Sequence, residues 1–424
     1  MLNSQAITKV QATLLAVIIV VATVGGGVAY VLLSGTEGTG ETIKIGLCAD
    51  LNMPLGKDAW QGLVLAAEQI NAEGGLLDRQ IEVVGEDSDS EEKFDPATII
   101  TAFNRLLSYH KVDFVIGAGG EGYLVDAAAE NEIIMLGTAG GGEHSTQRVL
   151  DDYDKYKYFF RACENDSARM QKFVGGSLFI RELTGFTKVA RLATNYGAAV
   201  EPKYEQYKVI LEDNGFDVVY DGRFNEGTVD FGSYFAAAEA AGAEIMMPEI
   251  MTPDGISFIK EWYDRQSPML LWGTNYIGSG NMQSWEWTEG KCVNTFGAPW
   301  LGYPVTTKSV PMEEAYFEMW GTYPSVPAKI QYDALRFILF DAIKRAGTTE
   351  TESVIKALEE TSIETSLQNS FRFTSNHDNL YGLEDRPPIF QWQADGKRVP
   401  VYPPELMEEA GATLTFPDWP GPWD

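Results

Sequence analysis

Two glycine-rich runs carry most of the chemistry this sequence offers: Ala118-Gly119-Gly120-Glu121-Gly122-Tyr123 and Thr138-Ala139-Gly140-Gly141-Gly142. Backbone stripped of side chains can close on a small anion and present N–H donors to it, above all where a helix begins. Gly120, Glu121, Gly122, Tyr123, Ala139, Gly140 and Gly141 are therefore candidate ligand-binding positions, with tight turns as the plain alternative. Neither run is a phosphate loop, because no Walker A sequence occurs and no GxGxxG follows the first expected strand.

Farther along, Tyr196, Glu249, Asn275 and Tyr276 each fall just after an expected strand. The two tyrosines could cover a ligand with their rings while their hydroxyls find hydrogen bonds, or could simply pack at a rim. Glu249 could pair with a ligand ammonium, or stay a solvated carboxylate.

Catalysis finds little support. The three histidines, His110, His144 and His377, show no HExxH spacing, and no GxSxG elbow is present. His110 reads as finishing a helix. Asp87 and Asp89 sit in an acidic run with Glu91 and Glu92, which suits a solvated loop better than a glycosidase pair. No catalytic residue, metal site or cofactor is expected.

The elements that must position these loops alternate. Ile43 to Ala49 reads as a buried strand, followed by Ala59, Trp60, Leu63, Ala66, Ala67 and Ile70 at helical spacing up to Gly74-Gly75. Strands at 81–84, 112–117 and 133–137 follow, with helices near 96–108 and 124–130. A second series of strands at 188–194, 217–220, 244–248 and 269–273 repeats the pattern after a helix over 167–183. Such alternation implies parallel sheets flanked by helices, in two lobes. A long helix around 330–346, a helix over 353–360, a strand pair at 389–393 and 399–402, and an irregular Pro/Trp-rich end complete the chain.

With 424 residues the chain suits two α/β lobes better than one core. Its 32 Lys+Arg against 61 Asp+Glu give a formal charge of -29, which repels phosphate backbones, so nucleic acid is not an expected partner. Cys48, Cys163 and Cys292 form no CxxC pair, and Cys48 reads as a small buried residue. From Ala12 to Leu33 no charge occurs over 22 positions, about 33 Å of helix and enough for a bilayer core. Lys9 before it and Glu37 and Glu41 after it place the folded part outside, on an uncleaved anchor in preference to a cleaved signal. Ser34 to Gly40 reads as a tether, and Asn165-Asp166-Ser167 matches a glycosylation sequon.

Several of these residues, taken in order, resemble the branched-chain amino-acid (Leu/Ile/Val-type) binding family of ABC-importer components. They are Gln61-Gly62-Leu63, Glu68 to Leu76 with its "NAEGG" end, Asp95-Pro96, Val115-Ile116-Gly117, Tyr196-Gly197 and Phe390 to Gly396, spanning about 42–397. The resemblance implies a two-lobed type I periplasmic-binding-protein (Venus flytrap) fold, here preceded by one transmembrane helix. It places lobe 1 at 42–160 plus 302–370, lobe 2 at 161–301 plus 371–405, and a tail at 406–424. It further implies capture of a small-molecule solute by lobe closure, outside the membrane, and delivery to permease subunits. A sensory ectodomain of the same fold is the second reading, an extracellular hydrolase the third. In relatives the loops matching Gly120–Gly122 and Ala139–Gly141 hold an α-carboxylate through backbone N–H groups and Ser/Thr hydroxyls. This chain places Gly141 where a threonine is expected, and Glu121 or Gly122 where a serine is expected. Asn275 replaces the acid that grips the ammonium, a role that would pass to Glu249 or Glu121. The solute is therefore expected to be amino-acid-like or another small polar metabolite.

Overall fold

The computed structural model describes residues 18–24, 27–33, 41–89, 95–195, 201–250, 254–273, 275–276, 283–297, 305–379 and 388–423. The chain divides into two compact units, Met1–Asp166 with Pro304–Tyr381, and Ser167–Tyr303 with Gly382–Asp424.

The first unit is built on strands β1 (Ile18–Val24), β2 (Gly27–Leu33), β3 (Ile43–Ala49), β4 (Ile81–Asp87), β5 (Phe114–Ala118), β6 (Met135–Gly137) and β7 (Phe159–Arg161). They form one sheet in the order β1-β2-β4-β3-β5-β6-β7, parallel from β4 to β7. Alternation along β3 shows why both faces are covered. Ile43, Ile45 and Leu47 pack with Leu63, Ala66 and Ile70 of helix Pro54–Ala72, while Cys48 points into the opposite layer with Phe103 and Leu106. Each Ile, Leu or Phe among them contributes about 1.5–3 kcal/mol on burial. The helix opens on Pro54, where a missing N–H costs nothing, and stops at Gly74 and Gly75, whose φ of 105° and 87° an L side chain resists.

The second unit holds β8 (Lys188–Thr194), β9 (Asp217–Phe224), β10 (Ile245–Ile250), β11 (Leu270–Gly273), β12 (Asn275–Tyr276), β13 (Phe296–Gly297), β14 (Ile389–Gln393) and β15 (Lys397–Tyr402). Its order is β15-β14-β13-β11-β10-β8-β9, with β12 beside β10. The expected irregular end is packed here: Trp419 lies 5.2 Å from Trp262, ring to ring, and donates from Nε1 to the Ser267 carbonyl at 2.9 Å.

In both units the first strand of the series is central and the second lies to one side, with the third on the other. The strand order therefore reverses between β3 and β5, and again between β8 and β10. Ligands of open α/β sheets bind beyond the carboxyl ends of the strands at such a reversal.

The expected helix over 12–33 is not what its described part forms. Ile18–Val24 and Gly27–Leu33 pair as an antiparallel hairpin, and β2 adds to the edge strand β4. Val and Ile dominate the first half, and Val, Tyr and Leu fill most of the second, residue types that suit a pleated strand or an apolar helix. No helix among the described residues is long and apolar enough to cross a membrane. The tether at 34–40 lies outside the described residues. Asn165 of the sequon is buried, and its Nδ2 donates to Asp378 at 3.1 Å, so folding hides the acceptor amide.

Candidate functional site

Glu121 opens helix Glu121–Glu130, three residues earlier than the sequence suggests, just after Gly120 in a left-handed turn at φ 67°. Its side chain folds back under the loop that follows β6 and is 2% exposed. There its carboxylate accepts the backbone N–H groups of Thr138 and Ala139, each at 2.6 Å, and that of Gly140. Gly140 must be glycine for this, because a Cβ there would stand 2.2 Å from Oε2 of Glu121. Burial pushes the Glu121 carboxyl above its usual range, opposed by the N–H donors and by the Arg161 guanidinium.

Arg161 accounts for the direction of the loop. It ends β7, is fully buried, and donates to the carbonyl oxygens of Gly140 and, at 2.6 Å, Gly142. Drawing carbonyls to one side turns neighbouring N–H groups to the other, toward Glu121. Arg161 is itself fixed by Asp378, whose Oδ1 lies 3.0 Å from its Nε. Asp378 also accepts from Thr146 Oγ1 at 3.0 Å and from the N–H of Asn379 at 2.8 Å. The Thr138 hydroxyl donates to Gly117, tying the ends of β5 and β6, and accepts from Gln331.

The first unit thus brings Gly120, Glu121, Gly122, Ala139, Gly140 and Gly141 together at one sheet edge. Gly122 and Gly142 both abut the His144 ring. Gly141 is buried and accepts the Asp166 N–H at 2.8 Å, while Tyr123 points outward, 46% exposed.

In the second unit Glu249 lies inside β10 rather than beyond it, level with Ala193 of β8 and Asn275 of β12. Oε1 of Glu249 is 3.5 Å from Arg191, which also donates to Asp221 at 3.1 Å; Arg223 meets the same Asp221 at 2.6 Å. Burial raises the Glu249 carboxyl, and Arg191 opposes that rise. Asn275 and Tyr276 lie on β12 beside β10, and Tyr196 lies outside the described residues.

Sequence reasoning missed Arg161, Asp378 and Arg191. The signal was a lone charge inside an apolar run, Phe159-Phe160-Arg161-Ala162-Cys163 and Val189-Ala190-Arg191-Leu192-Ala193, where an arginine needs a built partner.

Comparison with known proteins follows the same lines. The Leu/Ile/Val-binding protein homolog 7 of Brucella suis is 24% identical over 399 residues, covering 88% of this chain and 94% of that protein. Among solved structures, the branched-chain amino acid transporter substrate-binding protein of Streptococcus pneumoniae, in complex with isoleucine, matches with a TM-score of 0.66 at 19% identity. That match covers 84% of this chain and 97% of the other. A solute-binding protein of an ABC transporter from R. palustris, in complex with benzoate, matches at 0.67 and 17% identity, covering 85% and 95%. The sequence model of the periplasmic binding proteins matches residues 42–397, and the chain therefore belongs to that family.

Proposed function

We propose that this protein is the extracytoplasmic solute-binding component of an ABC-type importer, taking up a small polar, amino-acid-like compound and passing it to permease subunits without altering it. The observation that carries this reading is the arrangement at the first sheet reversal: loops after β5 and β6 converge at its edge, held by a buried arginine and a buried carboxylate and not by a nucleophile and base. The relatives that bear Leu/Ile/Val-binding names, and the isoleucine and benzoate complexes, support a compound of that size.

Membrane attachment through residues 12–33 belongs to the same proposal, supported by 22 uncharged positions in a row. In water the two apolar halves satisfy their backbone by pairing with each other, and the second with β4; in hydrocarbon a helix would satisfy it internally. Membrane flotation of the full chain, with and without residues 1–34, tests this part.

A thermal-shift screen of the full chain against amino acids, amides, small carboxylates and sugars tests the main reading, since a compound at 100 times its Kd adds about 2.7 kcal/mol. One compound class should raise the melting point and be recovered unchanged. Consumption of the compound would replace this reading with an enzyme.

A further inference from the structure

The nest of N–H donors at Thr138, Ala139 and Gly140 already holds a carboxylate, and that carboxylate belongs to the chain itself. Three independent features make Glu121 a resident there and not a passing neighbour. Its side chain is 2% exposed, so it does not sample water from this position. Gly140 lacks the Cβ that would expel it. Arg161, wholly buried and pinned by Asp378, holds the carbonyls of Gly140 and Gly142 on the opposite side, so the N–H groups have no competing direction.

A second carboxylate brought to this nest would find its donors used and a like charge within a few ångströms, a repulsion that a site of low dielectric strengthens. The same sheet edge carries two further carboxylates, Asp50 after β3 and Asp87 at the end of β4, while the buried cation at the loop, Arg161, is matched by Asp378. Resting on the solute-binding reading above, we propose that Glu121 is a built-in occupant of the anion nest and a specificity-determining residue. It restricts the solute to compounds that present a neutral or cationic group, an amide or amine, to this loop and not a carboxylate.

The experiment uses the full chain as wild type, Glu121→Gly and Glu121→Gln, followed by melting temperature. The probes are sodium formate, sodium chloride at equal ionic strength, and the matched pairs L-leucine with L-leucinamide and benzoate with benzamide. Glu121→Gly should melt about 5 °C or more below wild type, and formate should restore it saturably while chloride does not. Wild type and Glu121→Gln, whose nests stay filled, should ignore formate. Wild type should respond to an amide and not to its acid, and Glu121→Gly should gain a response to the acid. Where glycine prevents folding, Glu121→Ser opens the nest with a smaller loss, and a gained response to the acids is expected of it in the same way. Indifference of the opened variant to formate, or a wild-type response to leucine or benzoate as large as the variant's, overturns the proposal. Formate rescue beside a wild type that ignores every amide, amine and acid supports the nest assignment and counts against the solute-binding reading, so the two failures are distinguishable.

Discussion

Oε2 of Glu121 accepts the backbone N–H of Gly140 and occupies space only 2.2 Å from where a Cβ on that residue would stand. Gly140→Ala should therefore force the carboxylate out of the nest and cost about 1–3 kcal/mol, read as a lower melting temperature. In a Glu121→Ala background the same change should cost much less, because the clash is gone. Full additivity of the two substitutions would show that the contact is not made.

Arg161 and Asp378 form an ion pair inside the first unit, at 3.0 Å and with almost no exposure on either side chain. Removing one partner leaves the other charged and buried, so Arg161→Met or Asp378→Asn should each cost about 3–5 kcal/mol in urea unfolding. Arg161→Lys should recover only part of this, since a single ammonium cannot hold two carbonyls and a carboxylate in a fork. Equal stability of the lysine variant and wild type would contradict the geometry.

Asp333 is buried and accepts the N–H groups of Ser366 at 3.0 Å and Leu367 at 3.1 Å, yet burial raises its carboxyl from 3.8 to about 6. With the folded value above the unfolded one, the folded state binds the proton more tightly. Asp333 then favours folding below pH 3.8, and that contribution is lost as pH rises through about 6. The melting temperature of Asp333→Asn, measured from pH 4 to 7, should lack this falling component. A variant with the wild-type pH slope would refute the assignment.

Cys48, Cys163 and Cys292 are all buried and none is joined in a disulfide, and burial pushes the Cys48 thiol up to about 12 and Cys292 to about 11. A thiol that neither ionises nor meets solvent does not attack. Native protein should therefore resist maleimide at pH 7, and denatured protein should take three labels. Rapid labelling of the native chain would show that one of these layers opens.

Much of this architecture is legible in the residues themselves. The strand 188–194 matches β8 to the residue, and Gly74-Gly75 ends its helix as the turn chemistry requires, because apolar periodicity and glycine punctuation are local properties. The two glycine-rich loops are legible for the same reason. What sequence could not supply was the partner of each charge. Glu121 and Thr138 are 17 residues apart, and Arg161 and Asp378 lie in segments brought together only by the return of the chain into the first unit. The N-terminal run is ambiguous in kind, since an uncharged apolar stretch suits a helix in lipid and a hairpin whose second strand pairs with β4 equally well.

On the reading proposed above, the protein captures a small polar solute reversibly and releases it unaltered. The decisive measurement is equilibrium dialysis of the full chain against the compound that most raises its melting point, with the compound assayed by mass on both sides. Saturable uptake approaching one molecule per chain is expected, with complete recovery of the compound unchanged after release. Loss of the compound, or uptake that rises linearly without saturation, would contradict that reading.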